Sequence, residues 1–255
     1  MANGGWRKGK CVEKVTALTL QQMKREGRKI VGVVVYDYPT AQIADRAGVD
    51  LISVGDSVGA NLWGQSSESE VTLEELLIAC KAVRRGTKRA LVSCDVAQGP
   101  VSAGIESAVA AAQRLSKEGG ADMVKVLGSP GLVRAIVRAG VPVYAEFHGD
   151  QAPVEKLVEE ARRLEGAGAA MLDFRHSGPV AGAAVAKAVA IPVIGGLGGG
   201  PWLDGRVRLA HTALGWGAKW LDSKSETYVN TAQPALEAFT ALVEDVRAGR
   251  QIKGG

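Results

Sequence analysis

The run Val49-Asp50-Leu51-Ile52-Ser53-Val54-Gly55-Asp56-Ser57-Val58-Gly59 joins an apolar, strand-like segment to an acid, a hydroxyl and two glycines. Two readings are open for Asp56 and Ser57. A strand end that opens onto a pocket would present them to a metal ion or substrate. A tight turn would use Asp56 to cap the following helix.

The neighbouring segments bear on the choice. Residues 30–36 are apolar on both faces, as a strand of a covered parallel sheet must be. Working outward, helical and strand-like patterns alternate. Helices at 18–26, 40–47, 72–84, 104–117, 131–139, 153–167 and 180–189 are interleaved with strands at 30–36, 50–54, 89–95, 121–127, 142–147, 169–174 and 192–194. An eighth strand is expected around Ala218 to Asp222, before a final helix from Gln233 to Ala248. Eight such units in 255 residues predict an α/β fold, a (β/α)8 TIM barrel. A doubly wound sheet is the alternative, but it would normally show an early G-x-G-x-x-G loop. The glycine-rich run Gly195 to Gly200 comes late, and reads either as an anion-binding loop or as a flexible connection.

Composition narrows the class. No Pro- or Ser-rich linker divides the chain, so one domain over residues 1–255 is expected, with an N-terminal extension of about 15 residues. The formal charge of +4 arises from 31 basic and 27 acidic residues spread along the sequence. The densest basic run, residues 81–89, holds no aromatic residue to stack on bases, so it reads as a solvated helix end and nucleic acid is not an expected partner. Nothing resembles a membrane span or the apolar core of a signal peptide, which makes the cytoplasm the expected location. Cys11, Cys80 and Cys94 are too scattered for a disulfide framework or a structural zinc site. Strand alternation turns Cys94 away from whatever Asp95 faces.

In a barrel the C-terminal strand ends carry the chemistry. They supply Tyr36 and Asp37, Asp56 and Ser57, Asp95, Lys125, Glu146 and His148, and Asp173, Arg175 and His176. So many ionisable groups at one rim exceed what stability needs, because buried charge is costly unless paired or bound to a ligand. The mouth is enzyme-like.

The ordered motifs Tyr36-Asp37-Tyr38-Pro39-Thr40-Ala41, Ala47-Gly48-Val49-Asp50, Val54 to Gly59, Val71-Thr72-Leu73, Lys81 to Gly86, Asp95, Gly120-Ala121-Asp122 with Val124-Lys125, Ile191 to Gly195, Asp204-Gly205 and His211 resemble those of the ketopantoate hydroxymethyltransferase family, over residues 15 to 250. The resemblance implies a TIM barrel, a homo-oligomer that is often a decamer, and Mg2+ at the barrel mouth. It also implies transfer of a hydroxymethyl group from methylenetetrahydrofolate to a small-molecule 2-oxo acid, 3-methyl-2-oxobutanoate. Carried over by position, Asp56 and Asp95 match the metal-binding carboxylates, and Ser57 and Lys125 match substrate contacts. Two carboxylates, a chelating 2-oxo acid and water suit the octahedral, oxygen-only preference of Mg2+.

The sequence departs from the family pattern on the other side of the mouth. Phe174-Arg175-His176 stands where the resemblance expects Leu-Glu-Cys, and arginine cannot accept a proton. Leu127 replaces a carboxylate, Glu146 stands where a histidine is expected, and the loop after the fifth strand is cut to Gly149-Asp150-Gln151-Ala152. Glu146 is therefore the expected proton-transfer residue, with Arg175 steadying it or gripping an anion. His148 and His176 are further acid–base candidates. The bland alternative is a structural Glu146–Arg175 ion pair. The function expected is aldol-type C–C chemistry at the enolate of a 2-oxo acid. The alternatives are a lyase, mutase or hydrolase of the phosphoenolpyruvate mutase and isocitrate lyase type, or a non-catalytic ligand-binding barrel.

Overall fold

The computed structural model describes residues 13–149, 152–196 and 198–254. These contain eight parallel strands that close into a barrel in sequential order. The strands are β1 (Ile30–Val34), β2 (Leu51–Val54), β3 (Leu91–Asp95), β4 (Met123–Leu127), β5 (Val143–His148), β6 (Met171–Arg175), β7 (Val193–Gly195) and β8 (Gly205–Leu209). The helices are α1 (Ala17–Arg25), α2 (Tyr38–Ala47), α3 (Leu73–Gly86), α4 (Gln98–Ser102), α5 (Ile105–Lys117), α6 (Pro130–Arg138), α7 (Val154–Gly166), α8 (Pro179–Ala188), α9 (Ala210–Leu214) and α10 (Ala232–Arg247). The chain divides into two compact units, one ending at Val207 and the other beginning at Arg208.

Helix boundaries follow local chemistry. Asp37 accepts the backbone N–H of Thr40 at 2.8 Å and caps α2, with Pro39 in the first turn. This strand-end acid, a candidate for chemistry on sequence grounds, is a capping residue. Thr72 and Glu75 form a reciprocal capping box at the start of α3.

Alternation sorts each strand into inward and outward residues. Ile30, Leu51, Leu91, Met123, Tyr144, Met171 and Ile194 form one buried cluster, joined by Val15 and by Leu20 and Met23 of α1. Cys94 turns outward to Cys80 of α3, as alternation requires, and burial pushes its thiol pKa up.

Acids at three strand entrances bracket the N-terminal end of the barrel. Asp50 accepts from the Val31 N–H at 3.1 Å, Asp122 from Val92 at 3.0 Å and Asp204 from Val193 at 2.8 Å. Each also pairs with a cation: Asp50 with Arg89, Asp122 with Arg84 and Asp204 with Lys24. Three acids of the motifs quoted above thus hold neighbouring strands in register, at the end away from the mouth.

The eighth strand lies earlier than the sequence suggests. Residues 218–220 form a single 3-10 turn, and β8 occupies Gly205–Leu209. Its alternation is carried by exposed Arg206 and Arg208, which read as loop, and among the described residues no helix separates β7 from β8. A Cβ on Gly205 would fall 2.2 Å from the carbonyl oxygen of Ile30, so the approach of β8 to β1 requires glycine there. Gly205→Ala is expected to lower stability by about 1–3 kcal/mol through this overpacking, read as a lower urea midpoint; an unchanged midpoint would refute the close-approach argument.

Candidate active site

Above the apolar cluster the inward positions become charged. A cavity of about 370 Å³ opens at the C-terminal strand ends, lined by Asp56, Glu68, Asp95, Val96, Gln98, Val101, Ser102, Lys125, Leu127, Glu146, His148 and Arg175. Six sequence candidates, Asp56, Asp95, Lys125, Glu146, His148 and Arg175, meet here. Two do not line it. The Ser57 hydroxyl is hydrogen-bonded to the Tyr36 phenol at 2.8 Å, and exposed His176 lies at the edge with a left-handed backbone (φ 52°), its ring 6.2 Å from that of His148. The Gly195 to Gly200 run contributes no lining residue among those described.

Register explains the convergence. Asp95 pairs across the sheet with Lys125, Glu146 with Asp173 and His148 with Arg175, so their side chains share the barrel's inner face. The Lys125 ammonium lies 2.8 Å from Glu146 Oε2, 3.3 Å from Asp95 Oδ2 and 3.7 Å from Asp173 Oδ2. These surroundings raise its pKa: burial alone would lower it, but the three carboxylates outweigh that effect. Lys125 is a fixed cation.

Glu146 is tied as firmly. Its Oε1 receives Arg175 Nη1 at 3.2 Å and stands 2.9 Å from His148 Nε2. Burial would raise its pKa, yet Lys125, His148 and Arg175 together hold it below the usual carboxylate range. The contacts that keep Glu146 ionised make it a weak proton acceptor. Arg175 also reaches Asp173 Oδ2 at 3.6 Å. Asp173, given no role on sequence grounds, lies beneath the cavity as the second anion of this frame.

The other wall is different. Asp56 caps no described helix, since the turn that follows lacks a side-chain cap. Its backbone N–H donates to Asp95 Oδ2 at 3.3 Å. A Cβ on Gly55 would fall 2.9 Å from Ser57 Oγ and 3.6 Å from Asp95 Oδ2, so glycine keeps this strand end bare beside the carboxylate. Asp95 Oδ1 is buried without a hydrogen-bond partner among the described residues. Burial pushes the Asp95 pKa up to about 7; Lys125 opposes the shift, and Asp56 and Glu146 add to it. An orphaned oxygen on an acid driven toward neutrality, beside a second carboxylate, is the donor set a hard divalent cation would satisfy.

Sequence reasoning missed Glu68. It sits in a Ser/Glu-rich connection after β2, where no periodicity marks one residue from the next. Leu127, at the position where the resemblance expects a carboxylate, does line the cavity.

The fold and this carboxylate-lined mouth define a (β/α)8 barrel of enzyme type. The chain belongs to the ketopantoate hydroxymethyltransferase family, whose model matches residues 14–251. The family is one of transferases, and hydroxymethyl transfer takes a one-carbon donor as co-substrate. The chain is 35% identical over 246 residues to the 3-methyl-2-oxobutanoate hydroxymethyltransferase of Bacillus licheniformis, covering 89% of this chain and 88% of that protein. It is 35% identical over 256 residues to the enzyme of the same name from Moorella thermoacetica, covering 93% and 95%. Among solved structures, 2,3-dimethylmalate lyase, a PEP mutase/isocitrate lyase superfamily member, shares the fold with TM-score 0.61 at 18% identity, covering 94% of this chain and 89% of that one. Oxaloacetate acetylhydrolase with bound oxalate shares it with TM-score 0.62 at 16% identity, covering 92% and 88%. Among the described residues, no helix is long and apolar enough to cross a membrane.

Two predictions follow from the charges. Lys125→Met leaves Asp95, Glu146 and Asp173 short of their cation and is expected to destabilise by about 3–5 kcal/mol at neutral pH, measured by urea unfolding. Asp95 gives a pH signature without added metal. Its pKa is about 7 in the folded chain and about 3.9 when unfolded, so between these values the folded state binds more protons. Its contribution to stability is then present below about pH 4 and is lost as pH rises to about 7. Asp95→Asn should remove this component of the Tm-versus-pH curve; an identical curve would refute it.

Proposed function

We propose that the protein catalyses Mg2+-dependent aldol-type C–C chemistry at the enolate of a 2-oxo acid. Hydroxymethylation of 3-methyl-2-oxobutanoate with methylenetetrahydrofolate as donor is the leading reaction. The observation that carries the reading is the buried Asp95 oxygen left without a partner beside Asp56, in a cavity of a chain of this family. Asp56 and Asp95 would hold the cation. When bound, such a cation supplies Lewis-acid polarisation of the 2-oxo group, which makes the adjacent C–H more acidic.

The chain's own residues set the rest. Lys125 carries the positive charge that faces the substrate carboxylate, fixed in place by three anions. Ser57, adjacent to Asp56, offers a hydroxyl whose orientation is set by Tyr36. The Tyr36 phenol, pushed up to about 12 chiefly by burial, remains protonated and acts as a hydrogen-bonding group only. Glu146 anchors Lys125, His148 and Arg175, and we assign it the part of a positioning anion. The homo-oligomeric state implied by the resemblance belongs to the same proposal.

Arg175 favours a second reading, in which the site cleaves or rearranges another anionic substrate, because it adds a cation to the lining. Proton NMR of 3-methyl-2-oxobutanoate in D2O separates the two. With Mg2+, the C3 proton is expected to exchange; chelation or Asp56→Ala should abolish exchange, and added methylenetetrahydrofolate should give the hydroxymethyl product. Absence of both exchange and product would refute the leading reaction.

A further inference from the structure

Seven titratable side chains line the cavity: Asp56, Glu68, Asp95, Lys125, Glu146, His148 and Arg175. Enolate formation needs a group that accepts a proton from carbon, and these seven are the titratable candidates among the described lining residues. Arg175 and Lys125 are held protonated by their anionic neighbours. Glu146 is held ionised by three contacts, and His148 is engaged with Glu146 through Nε2. Asp56 and Asp95 are the carboxylates assigned to the cation. Glu68 remains, and among the described residues its carboxylate has no hydrogen bond or ion pair.

The position of Glu68 is fixed by its backbone. Ser67 Oγ accepts the Ser69 N–H at 3.2 Å, and the Glu68 carbonyl accepts the N–H of Val71 at 3.3 Å, Val71 being buried. Before it, the Gln65 N–H donates to the Gly59 carbonyl at 2.9 Å and the Gln65 amide donates to Glu75 of α3 at 3.0 Å. The loop therefore brings one unpaired carboxylate into the cavity from the β2 side.

We infer that Glu68 is the catalytic base that removes the C3 proton of the 2-oxo acid, an assignment that rests on the function proposed above. The C3–H bond breaks, its electron pair becomes the C2–C3 double bond, and the 2-oxo oxygen takes the negative charge. The proton goes to the Glu68 carboxylate, which becomes a neutral acid. Because Glu68 is solvent-accessible, that acid exchanges with water and can return a solvent proton to carbon in the reverse step.

The electrostatics suit this task. Partial burial and then the charge of Asp56 raise the Glu68 pKa, with Arg175 and Lys125 opposing and Glu146 adding to the rise. Tyr36 faces the same region and stays neutral. A carboxylate of raised pKa is a better proton acceptor than one held low, as Glu146 is.

The test is C3 proton exchange of 3-methyl-2-oxobutanoate in D2O with Mg2+, measured by NMR across pH. Glu68→Gln is expected to slow exchange by about 10²–10⁴-fold. It should also lose the rise in rate with pH that tracks Glu68 ionisation, while calorimetric affinity for the acid is unchanged. Glu68→Asp should recover part of the rate, and Glu70→Gln, outside the cavity, should match wild type. Exchange at the wild-type rate in Glu68→Gln overturns the assignment and leaves the proposed function standing. Loss of exchange and affinity together in Glu68→Gln also overturns it, because that marks a structural part. A wild-type protein that shows no exchange overturns the proposed function, and the assignment with it.

Discussion

The Lys125 ammonium, buried among Asp95, Glu146 and Asp173, is the interaction on which the site depends. No other arrangement of these groups is affordable inside a barrel: three carboxylates from β3, β5 and β6 would repel one another in a medium that screens poorly. One cation on β4 makes their proximity tolerable, and the staggered register of parallel strands places it within 4 Å of all three. Arg175 then extends the frame by binding Glu146 and Asp173 from the rim side. Lys125, Glu146, Asp173 and Arg175 each touch at least two other members, and Asp95 is held through Lys125.

This arrangement divides the mouth into two regions of different chemistry. On the β4 to β6 side, Lys125, Glu146 and Arg175 are paired with one another and their pKa values move away from neutrality, while burial raises that of Asp173. On the β2 to β3 side, among the described residues Asp95 keeps one buried oxygen without a partner and Glu68 has no ion pair, and burial drives both acids upward. In the proposed reaction, proton transfer and cation binding fall to the β2 to β3 side, whereas the paired side serves orientation and charge balance.

Much of the barrel was legible because its strands are buried on both faces. Leu51 to Val54 and Leu91 to Cys94 read as apolar runs broken by one serine each for that reason. β8 was not, since two exposed arginines interrupt it and the helix that should precede it is missing among the described residues. Asp56, Asp95, Lys125, Glu146 and Arg175 were legible as cavity-lining residues because period-2 alternation at strand ends aims them inward. Glu68 was not, because a loop has no period to read. Nor could the sequence reveal that Glu146 is a weak base, since its basicity is set by Lys125, His148 and Arg175, two of them on other strands. The acids Asp50, Asp122 and Asp204 carry the complementary lesson: they sit in motifs shared with an enzyme family, yet their observed work is to hold strand entrances together.

Val15 and α1 bring Leu20 and Met23 into the apolar cluster at the N-terminal end of the barrel. Among the described residues this cluster closes the base, and the cavity opens at the C-terminal strand ends. Two reactants that share one doorway cannot be loaded in arbitrary sequence: whichever sits deeper has to arrive earlier and depart later. In the proposed reaction, with a small acid reaching toward Lys125 and a bulkier donor above it, the plug at the far end would impose a queue, with the upper occupant last in and first out.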